Sequence, residues 1–191
     1  MMKILIPLTL LSLNCFAYDK VPYNRAVHYG EWIDIDRDCQ DVRAELLIKE
    51  SENNGVAPTF VKREDGKNCT VATGKWIDFY TDIIYTNAKD VQIDHIISLK
   101  QHYEAIGSTL THKQRVEYAN EPTHIVITKS SLNMSKGAKD LSEFIQRVPQ
   151  QNKCKYIRDV KRISDANNIP LDNSDNEIIN QNPACFKAIN Q

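Results

Sequence analysis

Between Asp94 and Gly137 the chain sets out, in order, a carboxylate beside an imidazole (Asp94-His95), a second imidazole (His124), and an amide at the start of a helical stretch (Asn133), closed by Ser135-Lys136-Gly137. Hydrolysis of a phosphodiester needs a base to activate water and a divalent cation to neutralise charge on the phosphate and the leaving oxygen. His95, with a reference pKa of about 6.5, can take a proton without special tuning. Asp94 offers a hard oxygen to magnesium, and Asn133 a neutral carbonyl oxygen that leaves the ion electropositive. Magnesium keeps several waters and completes its shell from substrate phosphates, so two protein ligands suffice. Singly, each residue has a plain structural reading: Asp94 and Asn133 as turn or cap residues, His95 as a hydrogen-bonded core histidine. Their order is what points to chemistry.

A second constellation lies upstream. Asp34, Asp36, Asp38 and Glu45 occupy the first, third, fifth and twelfth positions of a calcium loop of the EF-hand kind, but the glycine required at the sixth is Cys39. A secreted calcium-binding or adhesion module is therefore the alternative reading, and a structural calcium ion in an enzyme a variant of it. His28, His102 and His112 stand in no ligand spacing and receive no role. Arg115, Lys129, Lys136, Arg158 and Arg162 are candidate phosphate contacts, with Arg115 and Asn120 equally suited to scaffolding.

The elements that must carry these residues are legible in outline. Asp41 to Ser51 reads as an amphipathic helix with Val42, Leu46 and Leu47 on one stripe, ended by Asn53-Asn54-Gly55. Thr59 to Thr73 suggests a hairpin turning at Glu64-Asp65-Gly66-Lys67. Gly74 to Tyr85, rich in aromatics, reads as irregular packing. Ile93 to Leu99 is a short apolar run, and Gln101 to Ile106 and His112 to Ala119 look helical. Ile125 to Thr128 is the clearest strand, and Ser130 or Ser131 suits the cap of a helix starting near Leu132. Lys153 to Ile163 fits a helix, and Asp172 to Pro183 is polar enough to read as loop.

Length and composition bound the class. The 191 residues are 41% hydrophobic and 26% charged with 6 Gly and 7 Pro, which excludes collagen-like, low-complexity and wholly disordered chains. Lys3 followed by the apolar run Ile4 to Leu13 and the small-residue end Cys15-Phe16-Ala17 reads as a secretory leader, residues 1–17, cleaved after Ala17. The run falls short of the roughly 20 apolar residues that span a bilayer. Ser12, three before Cys15, argues against lipid attachment there. Residues 18–191 then form one domain, secreted or periplasmic, with no membrane association once the leader is gone. Four cysteines remain, and two disulfides are expected in an oxidising compartment. Of three connectivities, Cys39–Cys69 with Cys154–Cys185 is favoured, because each joins segments on one side of the central region. Charge is uneven: residues 31–52 are strongly acidic and residues 147–163 strongly basic, around a formal net of −1. A nucleic-acid partner thus requires a local basic surface or a bound cation.

These residues resemble the HNH endonucleases, also called ββα-metal or His-Me finger nucleases. The resemblance is carried by Gln92-Ile93-Asp94-His95-Ile96-Ile97-Ser98-Leu99, by Tyr118-Ala119-Asn120 and by Asn133-x-Ser-Lys-Gly. Upstream, Trp32-x-Asp34-x-Asp36-x-Asp38-Cys39 with Arg43-Ala44-Glu45-Leu46-Leu47, then Gly74-Lys75-Trp76-x-Asp78-x-Tyr80-Thr81, is similar to a secreted branch of that superfamily, so the match covers residues 23 to 145. It implies an α+β fold around a ββα-metal finger at about residues 90–145. It also implies a magnesium- or manganese-dependent endonuclease with nucleic acid as partner, DNA favoured over RNA, little sequence preference and 5′-phosphate products. Ser98 replaces a frequent proline. His124 replaces an asparagine that in the family holds the base's loop by hydrogen bonding; histidine can donate the same bond, or it can join the metal site, and the first role is favoured. One geometric condition follows: adjacent strand residues face opposite ways, so Asp94 and His95 share a site only if the strand ends or bulges there.

Overall fold

The computed structural model describes residues 22–187. The leader and its cleavage site lie outside the described residues. The architecture is mixed α+β, with every strand pairing antiparallel. The chain begins with α1 (Arg25–Tyr29) and α2 (Val42–Asn53), then enters a three-stranded sheet of β1 (Thr59–Phe60), β2 (Val71–Ile77) and β3 (Ile84–Asn87). A separate two-stranded sheet pairs β4 (Val91–His95) with β5 (Ile125–Lys129); between them run α3 (Leu99–Ala105) and α4 (His112–Ala119). After β5 come α5 (Ser130–Lys136), α6 (Leu141–Phe144), α7 (Gln150–Asn167) and α8 (Asn173–Gln181).

Two apolar clusters flank the β4–β5 pair. On one side α2 packs on β2, where Leu47 and Trp76 are fully buried with Val91, Ile93, Ile125 and Ile127, and the Trp76 indole donates to the Leu47 carbonyl at 2.8 Å. On the other, Tyr80, Phe144, Tyr156, Ile157, Val160 and Ile163 bring α6 and α7 against the turn after β2. Asp78, itself fully buried, joins the halves. One of its carboxylate oxygens accepts from Tyr80 and Thr81 in its own turn, and the other from the Thr128 hydroxyl and Lys129 amide of β5. A buried carboxylate is tolerable only when so fully bonded, and the effect here is to set Tyr80 beneath β4. Disulfides join Cys39 to Cys69 and Cys154 to Cys185.

Several expectations need correction. Residues 74–85 are not irregular: β2 runs through Ile77 and pairs with β3, with a register shift between Thr73 and Trp76. Gly74 is required there, since a Cβ would sit 2.6 Å from the Ser51 hydroxyl oxygen. Residues 172–183 are mostly helix, not loop, because Asp172 caps α8 by accepting from the Asp175 amide and Ile179 anchors it. The first helix after β5 starts at Ser130 behind Lys129, with no side-chain cap from either serine. The basic helix extends from Gln150 to Asn167, beyond the expected 153–163, and α1 has no counterpart in the sequence reading.

Candidate functional site

Asp94 and His95 lie on opposite faces of β4, as alternation demands. Asp94 faces Tyr80 and α5, whereas His95 turns toward Trp32 and the end of α4. His95 is the last residue of the strand, and there both border one cleft of about 380 Å³ with Gln92, Asn133, Arg25 and Lys100.

The His95 ring is held by one hydrogen bond and one stacked ring. Its Nε2 donates to the Ala119 carbonyl at 2.8 Å, which leaves Nδ1 as the unprotonated nitrogen; no hydrogen bond among the described residues engages Nδ1. The Trp32 indole lies parallel to the imidazole, with centroids 5.4 Å apart and planes 3° apart, and the Arg25 guanidinium sits 5.8 Å from the Trp32 ring centroid. Burial pushes the His95 pKa down to about 3, against the opposing bond to Ala119 and with help from the Arg25 and Lys136 charges. The ring is therefore neutral across the physiological range.

Asp94 is equally constrained. The Lys136 ammonium, with 0% of its side chain exposed, lies 3.0 Å and 3.1 Å from the two carboxylate oxygens. It also donates to the His95 carbonyl at 2.7 Å, and the Tyr80 hydroxyl donates to Oδ2. Asn133 reaches the cleft from α5, three residues before Lys136 on the same helix face. Its Nδ2 donates to Gln92 Oε1 at 2.9 Å, so the amide oxygen is the atom left to accept or coordinate.

His124 does not line the cleft. Its Nδ1 donates to the Tyr118 carbonyl at 3.1 Å and its Nε2 accepts from the Asn167 amide at 3.1 Å, so both nitrogens are spent. Its own carbonyl accepts from Ile96 at 3.0 Å. His124 thus ties the segment that holds His95 to the end of β4. Asn120 performs a parallel task, accepting from Ile33 at 3.1 Å and donating to Val116 at 2.9 Å, and so fixes the strip that carries Trp32.

None of the five expected phosphate contacts lines the cleft. Arg115 is spent on the carbonyls of His28, Gly107 and Leu110, and Lys136 is buried on Asp94. Arg158 donates to the Cys185 carbonyl, and Arg162 to Asp159 and the Thr123 carbonyl, both from α7. Lys129 is exposed at the end of β5. The cations that do border the cleft, Arg25 and Lys100, were not singled out by spacing, and neither were Trp32 and Tyr80 as partners of His95 and Asp94.

In the acidic segment, Asp34, Asp36 and Asp38 bring one carboxylate oxygen each within 4.8 Å of one another, all exposed. Asp34 accepts from the amides of Arg37 and Cys39, both at positive φ. The Glu45 carboxyl is pushed up by partial burial and by the Asp36, Asp38, Asp34 and Asp41 charges facing it.

No family model matches the chain, and no solved structure matches it. It is similar to an uncharacterized secreted protein of Arthroderma benhamiae, 29% identical over 125 residues that make up 64% of this chain and 52% of that one. The chain spans about half the length of the curated relative it matches.

Proposed function

We propose that this chain is a secreted, metal-dependent HNH-type endonuclease that hydrolyses phosphodiester bonds of DNA. The observation that carries the reading is the single cleft in which a pinned, neutral His95 meets two hard oxygen donors, Asp94 and Asn133. The order β4, helical insert, β5, α5 supports a ββα-metal finger as its frame. The donor set suits magnesium or manganese: a carboxylate and an amide oxygen, with no thiolate or second imidazole. Asp94 and Asn133 would hold the ion, which when bound supplies charge neutralisation at the phosphate and the departing oxygen.

The remaining steps belong to the side chains. The Ala119 carbonyl fixes the tautomer in which His95 Nδ1 is the acceptor, and Nδ1 takes the proton of the attacking water. A phosphate anion drawn into the cleft favours the protonated ring and so raises its basicity from the buried resting value. Trp32 walls off one face of the imidazole and prevents the ring from turning away. Lys136 offsets the Asp94 charge and keeps that carboxylate aligned. Export is supported by the two disulfides and by the secreted description of the similar protein.

The test is incubation of the purified protein with plasmid and with single-stranded DNA and RNA. Cleavage of at least one substrate in magnesium or manganese, stopped by EDTA, is expected; activity indifferent to EDTA overturns the metal mechanism. The juxtaposed Asp34, Asp36 and Asp38 favour calcium as the second reading. Calcium-dependent stabilisation without cleavage in any metal would establish that reading in place of the first.

A further inference from the structure

Gln92 borders the cleft of Asp94 and His95. That residue also lines a second, larger groove of about 600 Å³, which runs beside the start of β2, the β3–β4 turn and the first residue of α5. The groove is bordered by Arg43 and Lys89 and by no acid, with Thr70 and Asn87 as neutral polar groups; the Ser130 hydroxyl already donates to the Lys89 carbonyl and the Thr73 hydroxyl is paired with that of Thr59. In the cleft, Lys100 is paired with Glu104 at 3.0 Å, and Asp94 is already neutralised by Lys136. What remains along the two spaces is the positive charge of Arg25, Arg43 and Lys89. Arg43 is partly buried and held on the carbonyls of Ala88 and Val91, so it lends positive potential to the groove without a free donor, whereas the exposed Lys89 ammonium has no partner among the described residues.

Three other clefts of the described residues differ. One balances Lys49 and Lys155 with Glu50 and Asp78. Another is dominated by Glu104, Asp140, Glu143 and Asp172. A third has Lys161 alone, and that lysine is bound to Asp165 at 2.7 Å. In a chain of net charge −1, a positively bordered groove adjacent to the candidate catalytic cleft across Gln92 is a local property of this face.

We propose that the groove bordered by Arg43 and Lys89 is the track along which the phosphodiester backbone of the substrate strand leaves the cleft, with Gln92 at the junction. The inference rests on the endonuclease reading. The floor of the groove is aliphatic, from Val61, Val71, Ala72, Ala88 and Val91, and its charged border is Lys89 and Arg43; that border is what recognises phosphate, and no aromatic side chain is present to stack a base. Contact there is with the backbone and indifferent to sequence.

The experiment measures binding of a fluorescein-labelled oligothymidylate strand by anisotropy in EDTA, over a salt series, for the wild-type chain, Lys89→Ala, Lys89→Glu and a control, Lys113→Ala. Lys113 is exposed on α4, paired with Glu117. Losing one phosphate contact should lower the slope of log Kd against log salt by about 0.7 and weaken binding roughly 5–10-fold at low salt. Lys89→Glu should be weaker still, and Lys113→Ala unchanged. Equal binding by wild type and Lys89→Ala, an equal loss in Lys113→Ala, or no binding by the wild type at low salt overturns the track. Cleavage assays in magnesium on the same proteins separate the two readings. Salt-dependent binding that needs Lys89 without cleavage in any metal leaves the track and removes the nuclease, whereas cleavage with binding indifferent to Lys89 does the reverse.

Discussion

Replacing Lys136 by methionine keeps the length of the side chain and removes its charge from beside Asp94. The ammonium is wholly buried, lies 3.0 Å and 3.1 Å from the carboxylate oxygens and satisfies the His95 carbonyl at 2.7 Å. Removing one partner of a buried pair typically costs about 3–5 kcal/mol, because the other charge is left uncompensated. The Tyr80 hydroxyl still donates to Asp94, which places the expectation in the lower half of that range. In a domain of this size the melting temperature should fall by roughly 6–16 °C in EDTA. Magnesium should then act differently on the two proteins. In the wild type a cation held by Asp94 would share that carboxylate with the Lys136 ammonium, and like charges brought close in a partly desolvated site repel by several kcal/mol. Without the ammonium, apparent magnesium affinity should tighten at least tenfold, so saturating magnesium should restore at least about 1.4 kcal/mol more in the variant than it adds to the wild type. Differential scanning fluorimetry with and without magnesium measures both. A loss below about 1 kcal/mol in EDTA refutes the claim that the pair holds Asp94. An equal magnesium shift in both proteins refutes Asp94 as the oxygen that meets the metal.

His95→Ala should lower turnover roughly 10²–10⁴-fold, the usual range for a general base, while circular dichroism and magnesium-induced stabilisation stay as in the wild type; stabilisation lost along with turnover would assign His95 to the metal instead. His124→Asn should keep most activity, since an amide nitrogen can replace Nδ1 in the bond to the Tyr118 carbonyl, whereas His124→Leu should lose it; equal activity in both would mean that the bond does not position the base. The Asp175 carboxyl is pushed up to about 6 by burial first, with the Asp140 and Asp172 charges adding to it and the bond from Ser142 opposing. Its native pKa exceeds the ordinary 3.8, so between pH 4 and pH 6 the native state binds more protons than the unfolded one and stability falls as pH rises. By pH 7 that contribution, on the order of 3 kcal/mol, is gone. Urea midpoints of Asp175→Asn should lack this fall, and parallel pH profiles of the two proteins would contradict it.

What could be read in the sequence follows from where the signal is local. The stripe Val42, Leu46 and Leu47 behind Asp41 gives a helix by periodicity and capping, and α2 starts where Asp41 accepts from the Ala44 amide. Helix α8 has only two apolar residues, Ile178 and Ile179, in Asn173–Gln181. Its stability comes from a cap and from Asp175 bonded to Ser142 and Gln101, contacts that no window of sequence contains. Strand β2 was hidden by Gly74, which breaks the pattern yet is required by the Ser51 side chain behind it. At the site, Asp94, His95 and Asn133 were legible as an ordered set. Lys136, expected as a candidate phosphate contact, is buried against Asp94, and its place three residues after Asn133 on α5 is a usable sign that it faces the same strand. The stacking of Trp32 on His95 crosses the chain and leaves no local trace.

That crossing has a kinetic consequence. His95 is clamped by residues 32 and 119, and Asp94 by residues 80 and 136, so each wall of the cleft arrives from a different stretch of polypeptide. Helices α4 and α7 can form from nearby residues early in refolding, while contacts of long sequence separation close late because loop entropy must be overcome first. Ellipticity should therefore recover ahead of hydrolysis after dilution from denaturant. Turnover in this chain would report completion of the whole tertiary structure, and a partly assembled or nicked molecule would be silent even where its secondary structure is intact.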